Sequence, residues 1–309
     1  MAGRRSKKTL FGIICAILVF VLAWQGITRF VPKITEQEIT PATTKGSLVA
    51  EFLDVDQADC ELIFLPDGKI TLIDAGNRGD GDKIVAYLKS KGITKIDYLV
   101  ATHPHADHIG GMADIINAFD IGSVYAPRVS KDDTPTSKTY EDFLLAVRDK
   151  GLKIKGVNPS SEPAISAGDY NIYFFSPNSS DYTEINDYSV TVKITYGIHS
   201  FLFMGDAEIL SENEMLDAGY NLDADVLKVG HHGSESSTGK AFLKAVSPNY
   251  AVISCGEGNK YNHPHQKTLN TLKSIKVLRT DLDKTIIFMA DGKTKDGLKF
   301  TTKNQTVVS

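Results

Sequence analysis

Histidine placement carries the chemistry of this chain. Seven of its eight histidines fall in three short windows: His103, His105 and His108 in THPHADHIGG, His231 and His232 in KVGHHGS, and His263 and His265 in YNHPHQ. Histidines that serve only packing or solvation would scatter along the 309 residues. The first window follows the apolar run IDYLVA and precedes a helical pattern, so it occupies a strand-to-helix loop at a sheet end, where ligands commonly bind. There His103 and His105 can point to one side and Asp107 and His108 to another, while Gly110 and Gly111 permit a tight backbone. Such a set suits two adjacent divalent cations. Imidazole and carboxylate without thiolate favour Zn²⁺, with Mn²⁺ or Fe as alternatives.

Two neighbouring cations need a shared anion and further ligands. Asp206 follows the apolar run SFLFM through Gly205 and so stands at another strand end, where the competing role is a cap for the helix that begins at AEIL. His231 and His232 follow DVLKV, and one of the pair completes a metal shell; His263 in NHP is a further candidate. The remaining histidines are left to bond substrate or to fix a ligand, and Asp107 and His232 are the candidates for a direct part in catalysis. Ser234, with Ser236, Ser237 and Thr238, offers hydroxyls to a phosphate or else forms a solvated loop. Lys228 and Lys260 are either aids to an anionic substrate or ordinary surface charges. His199, outside every window, is expected at the surface of a hairpin.

The frame that must hold these groups is an α/β (α+β) chain. From Ser47 onward SLVAEFL, CELIFL, KITLIDAG and IDYLVATH have strand character, and DKIVAYLKSKG and GMADIINAF helical character. Later VTVKITYG and SFLFMGD form a hairpin pattern and AEILSENEMLDAG a helix. Strand and helix then alternate through DVLKVG, GKAFLKAV, YAVISCG, QKTLNTLKS and KVLRT. Consecutive strands at both ends favour two mixed sheets with helices on their outer faces over one doubly wound sheet.

With 42% hydrophobic and 23% charged residues, the composition is that of a globular protein and excludes a disordered or multi-span chain. The charge is uneven: residues 1–31 carry +5 against −4 overall, leaving −9 on residues 32–309. That excludes a generally basic nucleic-acid coat, although nucleic acid stays open as a substrate. Residues 10–27, LFGIICAILVFVLAWQGI, follow the basic run RRSKK. At about 1.5 Å per residue they span roughly 27 Å, enough for one membrane helix with its basic flank inside the cell and the rest of the chain outside. The alternative is a cleaved signal peptide and a secreted form. The expected organisation is thus a cytoplasmic flank and anchor at 1–31, an exposed tether at 32–45 and a catalytic domain at 46–309. Cys60 and Cys255 are either a disulfide or two buried thiols.

LIDAG at 72–76, THPHADHIGG at 102–111, FLFMGD at 201–206 and VGHHGS at 229–234 resemble, in order, the motifs of the metallo-β-lactamase fold superfamily. Within it, FLDVDQADCELIFLPDGKITLIDAG, NDYSVTVKITYG, DVLKVGHHGS and NKYNHPH are similar to the extracellular metallo-β-lactamase-like domain of ComEC-type competence proteins, over roughly residues 47–302. Cell-surface phosphorylcholine esterases share the HPHADHIGG run. The resemblance implies an αββα sandwich with a dinuclear metal site between its sheets. His103 and His105 would bind one metal, Asp107 and His108 the other, Asp206 would bridge them, a histidine of HHGS would complete a shell, and Asp74 would stand behind the ligands. Many members place a histidine shortly before the bridging aspartate; this chain has Asn186, Asp187 and Ser189 there, which become candidates for substrate contact together with Ser234. Asp56 and Ala58 stand where the ComEC pattern has glycines.

Two such cations offset the charge of a phosphate diester and lower the pKa of water between them, so no serine or cysteine nucleophile is needed. The sequence therefore points to a membrane-anchored, outward-facing, metal-dependent phosphodiesterase of the nuclease or phosphorylcholine-esterase type. The alternatives are a hydrolase of carbon esters or lactones, and a non-catalytic module that binds DNA or an envelope polymer.

Overall fold

The computed structural model describes residues 39–130, 134–304 and 306–308. The expected anchor at 10–27 lies outside them; among the described residues no helix is long and apolar enough to cross a membrane. At the end of the expected tether Ala42, Thr43 and Lys45 are exposed, whereas Ile39 and Thr44 are buried and Thr44 bonds back to the Thr40 carbonyl.

The first half of the domain runs β1 (Leu48–Phe52), β2 (Glu61–Phe64), β3 (Ile70–Ile73), α1 (Gly81–Ser90), β4 (Lys95–Val100), α2 (Ala106–Ile109), α3 (Met112–Ala118), β5 (Asp120–Ala126), α4 (Lys138–Asp149) and β6 (Ile154–Gly156). The second half runs β7 (Ile165–Ala167), β8 (Tyr170–Phe174), β9 (Val192–Tyr196), β10 (His199–Phe203), α5 (Ile209–Asp217), β11 (Val226–Lys228), α6 (Lys240–Val246), β12 (Tyr250–Ile253), α7 (Gln266–Thr271), β13 (Lys276–Arg279), α8 (Thr280–Asp283), β14 (Thr285–Ala290) and β15 (Lys299–Lys303). They form two mixed sheets, as expected: eight strands in the order β15-β14-β1-β2-β3-β4-β5-β6, and seven in the order β13-β12-β11-β10-β9-β8-β7.

The two-residue period of the strands splits the apolar side chains into three layers. Along β1, Leu48, Ala50 and Phe52 face the second sheet, whereas Val49 faces the helices. Along β10, Phe201 and Phe203 point between the sheets and Leu202 points outward to α5 and α6. Ile84 and Leu88 of α1, Met112 and Ile116 of α3, and Phe143 of α4 cover the outer face of the first sheet. Met215, Phe242 and Val246 cover the outer face of the second. Each fully buried side chain of this size stabilises the fold by about 1.5–3 kcal/mol.

Each sheet is parallel over four strands, β3 to β6 in one and β10 to β13 in the other. Parallel pairing sends consecutive strands in one direction, so their carboxyl ends gather at one edge, where the following loops can meet. Cys60 and Cys255, just before β2 and just after β12, are buried free thiols.

Candidate metal centre

The loops that leave β3 and β4 are zipped together. The Ala75 N–H donates to the His108 carbonyl at 2.7 Å, and the N–H groups of Gly110 and Gly111 donate to the carbonyls of Gly76 and Ala75, each at 3.0 Å. A Cβ on Gly110 would lie 2.1 Å from the Asn77 carbonyl carbon, and one on Gly111 would lie 2.6 Å from the Ala75 oxygen. The two glycines are therefore required by close approach rather than by a left-handed backbone, since Gly110 is helical. Asp74 itself is left-handed, with φ of 56°, a conformation that costs a non-glycine residue energy and clusters at functional sites. It accepts from the Thr102 N–H at 2.8 Å and from Thr102 Oγ1 at 2.6 Å.

Those bonds set the histidine tautomers. A carboxylate can only accept, so His108 Nδ1, 2.7 Å from Asp74 Oδ2, carries a proton, and Nε2 is the nitrogen left to face a cation once the ring is neutral. Thr102 Oγ1 spends its hydrogen on Asp74, so at 3.2 Å from His103 Nδ1 it accepts, and His103 Nε2 is likewise left facing inward. From the second sheet, His232 donates Nδ1–H to the Ser254 carbonyl at 3.0 Å, and His231 donates Nδ1–H to Glu208 Oε1 at 2.9 Å. Both residues of this pair are left-handed, with φ of 47° and 53°.

Asp206 stands among these rings. Its Oδ1 is 3.2 Å from His108 Nε2 and 3.6 Å from His232 Nε2; its Oδ2 is 3.8 Å from His103 Nε2 and 3.9 Å from His231 Nε2. One carboxylate thus turns an oxygen to each of two histidine pairs. The expected competing role, a helix cap, falls to Asp187, whose Oδ1 accepts from the N–H groups of Glu208 and Ser211 at the start of α5. Asp107 Oδ2 closes the other side, 3.5 Å from His232 Nε2.

The residues present fit divalent cations. Among the described residues His108 Nε2, His232 Nε2 and Asp206 Oδ1 are buried without a hydrogen-bond partner, a costly state that a cation among them would relieve. Among the described residues three compact groups share His108, namely His103 with His108 and Asp206, Asp107 with His108 and His232, and Asp59 with Asp74 and His108, and a fourth joins Asp59, Asp206 and His232. His103 Nε2 and His105 Nδ1 also approach to 3.0 Å, a contact of two ring nitrogens that needs a proton or a cation between them. The expected division sets His103 with His105 against Asp107 with His108; in the structure the buried His108 groups with His103 and Asp206 as well as with Asp107 and His232.

The electrostatics match a site built for cations. Burial alone would raise Asp206, yet the rings of His108 and His232 hold it well below the usual carboxylate range. Burial would lower His232, but Asp206 and Asp59 push it up to about 10, and Asp206 and Asp74 raise His108 in the same way. His263 is lowered to about 4 by burial and by His231 and His232.

A cavity of about 320 Å³ opens beside these groups, lined by Gln57, His105, Ala106, Asp107, Asn186, Asp206, His231, His232, Tyr261 and His263. His105, His231 and His263 line it without joining a compact ligand group. His263 contacts Gln57 Nε2 through Nδ1 at 3.4 Å and stacks on Tyr261. Of the four residues expected to contact substrate, Asn186 lines the cavity. Ser189 is fully buried, accepting from the Asp206 N–H and lying 3.3 Å from His103 Nδ1; Asp187 is spent on α5; Ser234 bonds Ser236. Ser237 Oγ donates to the Gly230 carbonyl and fixes the loop rather than facing the cavity.

Two expectations are corrected outright. His199 is buried in β10, not at the surface, and donates to the Thr294 carbonyl at 3.0 Å between Asp225 and Asp291. Lys228 is neither a surface charge nor a substrate contact: it is buried against Asp59 at 2.6 Å. Asp59, Gln57, Glu208, Ser254 and Tyr261 were not picked out by sequence. The only available signal was adjacency, Glu208 standing two residues after Asp206 and Gln57 and Asp59 lying in FLDVDQADC.

Residues 53–257 match the family described as the metallo-beta-lactamase superfamily. The chain is 35% identical over 209 residues to ComE operon protein 3 of Bacillus subtilis (strain 168), covering 67% of this chain and 26% of that protein. It is 30% identical over 208 residues to Competence protein ComA of Neisseria gonorrhoeae, covering 66% of this chain and 27% of that one. The resemblance to ComEC-type competence proteins read from the motifs is thereby shown, and the chain spans about a quarter of the length of these relatives. Among solved structures, the metallo-beta-lactamase fold protein YhfI from Bacillus subtilis superposes with a TM-score of 0.53 at 14% identity, covering 79% of this chain and 99% of that one.

Proposed function

The chain belongs to the metallo-beta-lactamase superfamily, and on that premise we propose that it is a dinuclear-metal-dependent phosphodiesterase, held at the cell membrane by residues 10–27 with its catalytic domain outside. The observation that carries this reading is Asp206, which turns one oxygen to His108 and His232 and the other to His103 and His231 beside an open cavity. Two divalent cations, Zn²⁺ first, supply charge neutralisation for the diester and activation of water.

The chain's own residues do the rest. His103, Asp107, His108, Asp206 and His232 would hold the cations, with His105, His231 or His263 to complete the shells. Asp74, Ser254 and Glu208 fix three imidazoles with Nε2 inward. Asn186, its amide nitrogen held by Glu208 at 3.2 Å, and the half-exposed Tyr261 border the space left for substrate. The basic run before residues 10–27 supports a cytoplasmic amino terminus, and nucleic acid enters as substrate only.

The test is a panel: full-length protein loaded with Zn²⁺ or Mn²⁺ and given bis-p-nitrophenyl phosphate, a lactone and single-stranded DNA. Turnover of a phosphodiester supports the proposal. Turnover of the lactone alone assigns a carbon-ester hydrolase instead, and retention of DNA without cleavage assigns a binding module.

A further inference from the structure

A buried lysine and a buried carboxylate lie on the Nδ1 side of the metal-facing histidines. Lys228 ends β11 in one sheet and Asp59 precedes β2 in the other; each is 1% exposed, and Lys228 Nζ donates to Asp59 Oδ2 at 2.6 Å. The second donor bond of Lys228 goes to the Val229 carbonyl at 3.2 Å. Asp59 Oδ1 has no hydrogen-bond partner among the described residues and lies 3.4 Å from His232 Nδ1, while Oδ2 lies 3.9 Å from His108 Nδ1. One carboxylate therefore backs both rings whose opposite nitrogens face the centre. One of its oxygens also lies within 4.8 Å of a ligand atom of Asp206 and of His232, so an unrestrained Asp59 would compete for a cation rather than stand behind one.

Packing alone does not account for this pair. Two charges removed from water are no more stabilising than well-packed apolar residues of similar volume. A carboxylate behind a ligating imidazole, by contrast, fixes the ring and raises its basicity.

We infer that Lys228 and Asp59 are positioning residues for a cation that Asp107, His108 and His232 would hold: the ammonium restrains the carboxylate, and the carboxylate, 3.4 Å from the Nδ1 whose hydrogen goes to the Ser254 carbonyl, backs the His232 ring by its charge while Nε2 faces the metal. This rests on the dinuclear reading above.

Lys228→Met alone would strand a buried carboxylate, so the informative protein is the full chain carrying Asp59→Leu and Lys228→Met together, titrated with Zn²⁺ against a chromophoric chelator beside the parent. The parent should bind two equivalents. The double variant should keep the parent's circular dichroism, bind one equivalent as the parent does, and bind the other about ten- to a hundredfold more weakly. A parent that fails to bind two equivalents removes the dinuclear reading and this inference with it. A parent that binds two beside a double variant that binds both with parental affinity overturns this inference alone. A double variant that does not fold also overturns it, because the pair would then be structural.

Discussion

Asp74 Oδ2 lies 2.7 Å from His108 Nδ1, and both side chains are fully buried. The same carboxylate accepts from the N–H and hydroxyl of Thr102, so three donors converge on its two oxygens. An amide cannot replace it, because its NH₂ would face one of those donors. Asp74→Asn should therefore release the His108 ring and weaken metal binding by about ten- to a hundredfold, with secondary structure retained. Competition with a chelator measures this; unchanged affinity would show that Asp74 does not orient the ligand.

Metal binding should expel protons. His232, ordinarily near 6.5, is pushed up to about 10 by Asp206 and Asp59 against the opposing effect of burial, and His108 is raised as well. A group whose folded pKa is raised stabilises the metal-free fold fully below its unfolded value, and that contribution is lost as pH rises through the folded one. Between pH 6.5 and about 10 the metal-free protein should thus lose stability while Zn²⁺ affinity grows. Calorimetry at pH 7.5 in buffers of different ionisation enthalpy should report at least about one proton released per chain. Binding heats that do not depend on the buffer would contradict the assignment of His232 as a ligand.

The parts of this site that were legible in sequence are those where residue type alone restricts the chemistry. THPHADHIGG could hardly serve packing, and the strand before it was apparent from its apolar run. The Gly110–Gly111 step predicts a tight backbone, but the structural reason, contact with the chain at Ala75 to Arg78, depends on a partner some thirty residues away. Pairing of β1 with β14 joins positions at opposite ends of the domain and leaves no local pattern. Burial decides what a charged side chain does, and sequence carries little of it. Lys228 looked like a lysine near a motif, and His199 looked solvent-facing because no second histidine stood near it.

Because His199 is 3% exposed and bonded to the Thr294 carbonyl, His199→Ala should not be silent. Removing a buried, hydrogen-bonded ring should cost about 1–3 kcal/mol. Denaturant unfolding measures the loss, and metal content of the folded variant should equal that of the parent. A variant as stable as the parent would show that the bond to Thr294 contributes nothing.

Asp206 carries the sharpest expectation. Its oxygens divide between His108 and His232 on one side and His103 and His231 on the other, so Asp206→Ala deprives both halves of the centre at once. Two adjacent cations without a carboxylate to share would repel each other. Phosphodiesterase activity should fall by at least about a hundredfold, a barrier increase of about 2.7 kcal/mol, and bound metal should drop below two per chain. The fold should survive, since the start of α5 is capped by Asp187 and not by Asp206. A folded Asp206→Ala protein that keeps both metals and full activity would mean that the two histidine groups do not share this carboxylate.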